Sequence, residues 1–112
     1  MNRNITYPVN RVLRAKRRRN HPGAILMSLY LEPMSFTISD FANAIGVSRK
    51  AVSAIVNGRK SITPEMALRL AKALNTTPEL WLNAQHSYDL WKAEQNISED
   101  IKNIQSLRHA FA

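Results

Sequence analysis

Arg49, Lys50 and Ser53 lie within a run from Ser48 to Lys60, SRKAVSAIVNGRK, and alternate there with Val52, Ile55 and Val56 at helical spacing. The apolar residues share one face of a short helix, which leaves the guanidinium, ammonium and hydroxyl groups on the other. These are the groups that read base edges: Arg or Lys can bond guanine O6 and N7, and Ser can adapt to several bases. Asn57, Arg59 and Lys60 follow in an Asn-Gly-Arg-Lys turn, whose side chains and backbone amides can contact phosphate oxygens. The chemistry implied is recognition of a polyanion.

Nothing else in the chain points to bond making or breaking. His86, Ser87 and Asp89 sit together, but on one helix residues one and three apart cannot form a nucleophile–base–orienter chain. His21, His86 and His109 are too scattered for a metal site, and there is no cysteine to supply a thiolate ligand, a nucleophile or a disulfide. No glycine-rich phosphate loop is present. We therefore expect no catalytic residue, no metal and no cofactor.

Charge supports the same partner. The 112 residues carry a net +8, distributed unevenly. Residues 1–20 hold seven Lys or Arg (Arg3, Arg11, Arg14, Lys16, Arg17, Arg18 and Arg19) and no acid. Residues 21–76 are mildly basic and residues 77–112 are net acidic. A polycationic front end favours a polyanion, either in a minor groove or along the phosphates. No apolar run approaches the ~18 residues of a membrane span, and no secretory signal follows the basic start, so a cytoplasmic protein is expected.

The elements that must hold these residues are legible from helix punctuation. Pro22 follows His21 at a first helical position, and Ile25, Leu26, Leu29 and Tyr30 follow at helical spacing until Pro33 ends the segment. Thr37 caps a helix with Asp40 three residues on, Phe41, Ala42 and Ile45 form its apolar face, and Gly46 stands at its end. Ser48 caps the next. Thr63-Pro64-Glu65 and Thr77-Pro78-Glu79 open two more in the same way. Met66, Ala67, Leu70, Ala71 and Leu74 make one stripe, and Leu80, Ala84, Tyr88 and Trp91 another, with Trp81 beside it. A last helix from Ser98 to about His109 is suggested by Ile101, Ile104, Leu107 and Phe111. No segment alternates as a strand would. The reading is an all-α bundle of five to six helices, with an arm over 1–20, a helical domain over 21–95 and a helical extension over 96–112.

Counted from Ile38, Ala42 is fifth, Gly46 ninth, Val52 fifteenth and Ile55 eighteenth. A helix-turn-helix needs a small residue at the fifth place, where the second helix crosses. It prefers Gly at the ninth for a positive φ, and apolar residues at the fifteenth and eighteenth to seat the second helix. This unit meets all four demands over about residues 37–57. The large aromatics Trp81, Tyr88 and Trp91, with Leu80, fit packing or a dimer interface.

The segments HPGAIL, LEPM and GVSRKAVSAIVNGRKSITPEMALRLAKALNTTPELWLNAQHSYDLW resemble the HigA-type antitoxins, a branch of the Cro and phage-repressor (XRE) helix-turn-helix family with a lambda-repressor-like fold. The resemblance covers roughly residues 21–95. It implies a homodimer that represses its own operon from a pseudo-palindromic operator and neutralises a small RelE-like, mRNA-cleaving toxin. A stand-alone regulator of the same family, without a toxin, is the alternative. By motif position, Ser48, Arg49, Lys50 and Ser53 fall where recognition-helix residues approach bases, and Ala54 could touch a thymine methyl. Asn57 falls where phosphate is held, and Thr37 at the helix start that abuts the backbone. Two features depart from the family: Ala24 stands where an acid is common, and the arm is longer and more basic.

Overall fold

A computed structural model describes residues 20–110 of the chain. The basic arm through Arg19 and the expected core residue Phe111 lie outside them. Every regular element among the described residues is helical: α1 (Pro22–Ile25, continued by a π-helical segment Leu26–Leu31), α2 (Ile38–Ile45), α3 (Arg49–Val56), α4 (Pro64–Leu74), α5 (Pro78–Lys102) and α6 (Leu107–Ala110). The chain divides into two compact units, one spanning Arg19–Tyr88 and the other holding the described residues from Asp89 onward.

The helix starts follow from their capping residues. The hydroxyls of Thr37, Ser48, Thr63 and Thr77 accept the amides of Asp40, Ala51, Met66 and Leu80 at 3.0, 3.1, 3.2 and 3.2 Å. Each satisfies an amide that the helix itself cannot. At α1 the cap is His21, whose Nδ1 accepts the Gly23 amide at 2.9 Å. Left-handed residues close two helices, Gly46 (φ 75°) after α2 and Asn75 (φ 58°) after α4.

α1 departs from the expected periodicity. Past Ile25 its hydrogen bonds lengthen by one residue: the Glu32 amide donates to Met27 O at 2.9 Å, and beyond the helix Phe36 donates to Leu31 O at 3.0 Å. Pro33 has no amide to donate and its ring blocks the carbonyl one turn back, so the chain widens as it approaches. The wider turn changes which residues share a face. Leu26 and Leu31, five apart, are both buried, whereas Leu29, expected inside, is 65% exposed.

The core of the Arg19–Tyr88 unit is built on Leu26, Leu31, Phe41, Val52, Leu70 and Trp81, each at most 2% exposed, with Ala42 and Ala67 where helices cross. Each large side chain so buried contributes about 1.5–3 kcal/mol. Trp81 corrects the expected interface. It is fully buried, its ring lies 5.5 Å from that of Tyr30, and its Nε1 donates to Thr76 Oγ1 at 2.8 Å. It therefore has no surface left for a partner. The inward face of α5 is Trp81 and Gln85, one residue out of phase with the expected Leu80–Ala84 stripe, and Leu80 is 46% exposed.

In the second unit the expected helix from Ser98 to His109 is interrupted. Ile97 leaves helical geometry (φ −119°, ψ 19°), helix resumes as far as Lys102, and only Leu107–Ala110 is helical beyond that. Ile101, Ile104 and Leu107 are exposed, so in this chain they have no core to hold a continuous helix in place. None of the helices among the described residues is long and apolar enough to cross a membrane.

Candidate nucleic-acid interface

The helix-turn-helix is built as its spacing demands. Ala42 is 1% exposed beneath α3, Gly46 takes φ 75° in the turn, and Val52 and Ile55 are 1% and 3% exposed. With that face fixed inward, Arg49 and Lys50 are exposed on the first turn of α3 and Ser53 is half-buried one turn on. None of the described residues forms an ion pair with Arg49 or Lys50, and α3 has no acid in its first turn. The positive end of the helix dipole and two cations therefore coincide, uncompensated.

Ser48 and Thr37 accept helix amides through their hydroxyl oxygens, which leaves each hydroxyl hydrogen free to donate outward. The turn after α3 differs from expectation. The amides of Asn57, Gly58, Arg59 and Lys60 all fold back onto carbonyls of α3, the last two sharing Ala54 O at 2.8 and 3.2 Å. They are spent on closing the helix and are not offered to phosphate. Asn57 Nδ2 likewise donates to Ser53 O at 2.9 Å and lies 3.3 Å from Ser53 Oγ. As folded, Asn57 is a cap, with its side-chain amide turned back onto α3. The side chains of Arg59 and Lys60 remain exposed, and Lys60 returns to line a shallow hollow with Ser48, Lys50, Ala51 and Ala54. Recognition helix and turn thus present one continuous cationic surface.

The comparisons agree with this geometry. A helix-turn-helix family model matches residues 28–81, which contain both α2 and α3. An uncharacterised HTH-type transcriptional regulator of Escherichia coli K12, YbaQ, is 40% identical, with 88% of each chain covered. Antitoxin HigA-1 of Vibrio cholerae is 42% identical over 84% of this chain and 89% of its own. The chain belongs to the HigA-type branch of the helix-turn-helix family. A solved structure of the antitoxin GraA in complex with its operator superposes with a TM-score of 0.75 at 40% identity, covering 80% of this chain and 92% of that one.

In this HigA-type chain three further residues hold the recognition helix, and sequence reasoning singled out none of them for that role. Gly23 packs α1 against the end of α3 so closely that any β-carbon would overlap the Ile55 carbonyl. Gln85, 4% exposed, accepts the Ile62 amide through Oε1 at 2.8 Å and so ties α5 to the strap that carries Arg59 and Lys60. Arg69 donates from Nη1 to Ile45 O at 2.7 Å, at the last residue of α2. Neither Gln85 nor Arg69 lies on the apolar stripes read from the sequence, so the residue pattern carries no signal for them. Among the expected interface residues other than Trp81, Tyr88 is half-buried with its ring edge-on to His21 at 5.0 Å, and Trp91 is half-buried in the second unit. No group of three or more potential metal ligands occurs among the described residues.

Proposed function

We propose that the chain is a sequence-specific DNA-binding repressor and the antitoxin of a HigBA-type pair, acting as a cytoplasmic homodimer on its own operator. One observation carries the reading. Val52 and Ile55 lock α3 to the core, and this leaves Arg49 and Lys50 exposed and without an acid partner among the described residues. In the major groove, Arg49 and Lys50 bond guanine O6 and N7, while Ser53 adapts to the neighbouring base. Ser48 approaches the bases beside them, and Arg59 and Lys60, with the hydroxyl of Thr37, set the register on phosphate. The protein performs no catalysis. Repression follows from occupying the promoter, and neutralisation of the mRNA-cleaving toxin from binding it.

The relative from Escherichia coli, which is named only as a transcriptional regulator, favours a second reading of a stand-alone regulator without a toxin. Sequencing DNA fragments selected by the purified protein tests the shared part. A single pseudo-palindromic site upstream of its own gene is expected, and selection of no common sequence would refute it. Copurification with the product of a neighbouring small basic reading frame separates the two readings.

A further inference from the structure

We infer that Arg69, on α4 and outside the helix-turn-helix, is a positioning residue that sets the recognition helix for sequence-specific binding. The inference rests on the DNA-binding reading above. The turn between α2 and α3 is only Gly46, Val47 and Ser48, and it fixes the angle at which α3 leaves α2. Its backbone bonds to α2 run from Gly46 N to Ala42 O and, at 3.3 Å, to Asn43 O, and from Val47 N to Ala42 O at 3.0 Å, and none of them engages the Ile45 carbonyl. The carbonyl of Ile45 points out of the helix end, where no following amide reaches it in helical fashion.

Arg69 fills that place. Its Nη1 donates to Ile45 O at 2.7 Å, the short distance of a charge-assisted bond. Its Nη2 is held by Glu65 Oε2 at 3.1 Å, one turn earlier on α4. With both terminal nitrogens bonded, the planar fork gives the contact with the carbonyl a defined direction as well as a charge. The same Nη1 lies 3.2 Å from where a β-carbon on Gly46 would stand. Gly46 therefore answers two demands, the positive φ and the space for this group. Arg69 also borders a hollow lined by Val47, Ala51, Ile55, Lys60 and Met66, on the side of α3 that carries Ala51 and Ile55 rather than Arg49 and Lys50. Its effect on DNA is transmitted through the turn.

The test compares the wild type, Arg69→Met and Arg69→Lys in the full-length protein, on the selected operator and on a scrambled duplex across a salt series. Arg69→Met is expected to weaken operator binding about tenfold, the scale of one net charge-assisted bond, and scrambled binding by less than about twofold. The slope of log K against log salt should stay unchanged. Arg69→Lys, which keeps the charge and one donor but not the fork, should recover part of the operator affinity. Amide exchange without DNA gives an independent readout, with Gly46 and Val47 exchanging faster in Arg69→Met while α4 and α5 stay protected. Equal losses on both duplexes with a flattened slope would make Arg69 a phosphate contact and overturn the inference, as would unchanged exchange at Gly46 and Val47. If Arg69→Met fails to fold, the same two criteria are applied to Arg69→Lys. A wild type that does not distinguish operator from scrambled DNA sinks the DNA-binding reading instead, and the exchange data still decide whether Arg69 holds the turn.

Discussion

Gly23 meets Ile55 backbone to backbone: a β-carbon on the glycine would overlap the Ile55 carbonyl oxygen and come within 2.9 Å of the Val56 Cα. The obstacle is main chain at the end of the recognition helix, which no rotamer change can move. Gly23→Ala must therefore push α1 and α3 apart, although alanine is ordinarily the better helix residue. We expect a loss of about 1–3 kcal/mol in urea unfolding, the usual cost of overpacking. Operator affinity should fall further than stability alone accounts for, because α3 is displaced. Equal or greater stability in Gly23→Ala would show that the two helices can separate freely.

Gln85→Leu removes the acceptor of the Ile62 amide and leaves that donor buried. Leucine fills similar volume, and the unsatisfied Ile62 amide alone costs about 1–3 kcal/mol. Thermal unfolding measures it. A neutral result would mean that water or another acceptor reaches Ile62.

Much of the fold was legible because each helix announces its own start. Thr37, Ser48, Thr63 and Thr77 cap where their spacing from the apolar stripes puts them, and Gly46 takes the positive φ that its ninth place requires. Outward placement of Arg49 and Lys50 followed, since Val52 and Ile55 leave them no other side. What failed was phase. Period 3.6 cannot foresee a π-helical stretch, so it places Leu29 inside and passes over Leu31. On α5 an apolar Leu80–Ala84–Tyr88 series concealed that the buried face is Trp81 and Gln85, because a glutamine does not count towards a hydrophobic stripe. Arg69 was hidden for a related reason: its partner is a main-chain carbonyl, and such pairings leave no pattern in residue types.

Trp81→Ala separates core from interface. Because Trp81 is 0% exposed within one chain, its loss should cost about 3–5 kcal/mol whatever the protein concentration. Leu80→Ala changes an exposed residue and should cost far less in that measurement. If Leu80 lies in the dimer contact, the variant instead shifts the monomer–dimer equilibrium seen by sedimentation. Unfolding of Trp81→Ala that depended on concentration more steeply than the wild type would return Trp81 to the interface. The operator of the dimer should have half-sites about 34 Å apart, or a multiple of that.

The two basic regions should divide the work of binding, and salt distinguishes them. Arg49 is exposed on the first turn of α3, and on the proposed reading it meets base edges, so Arg49→Ala should cost about 1–3 kcal/mol on the operator and little on scrambled DNA. Arg17, Arg18 and Arg19 have no apolar neighbours in sequence to impose a geometry. Their attraction to DNA is then counterion release, which is blind to sequence. Deleting residues 1–20 should weaken both duplexes by similar factors and flatten the slope of log K against log salt by about 0.9 for each phosphate that the arm neutralises. Arg49→Ala should leave that slope nearly intact while reducing the ratio of operator to scrambled affinity. A salt titration of both variants on both duplexes reads all four quantities at once. If the truncated chain kept the wild-type slope, the arm would not lie on DNA, and its charge would have to serve another acidic partner.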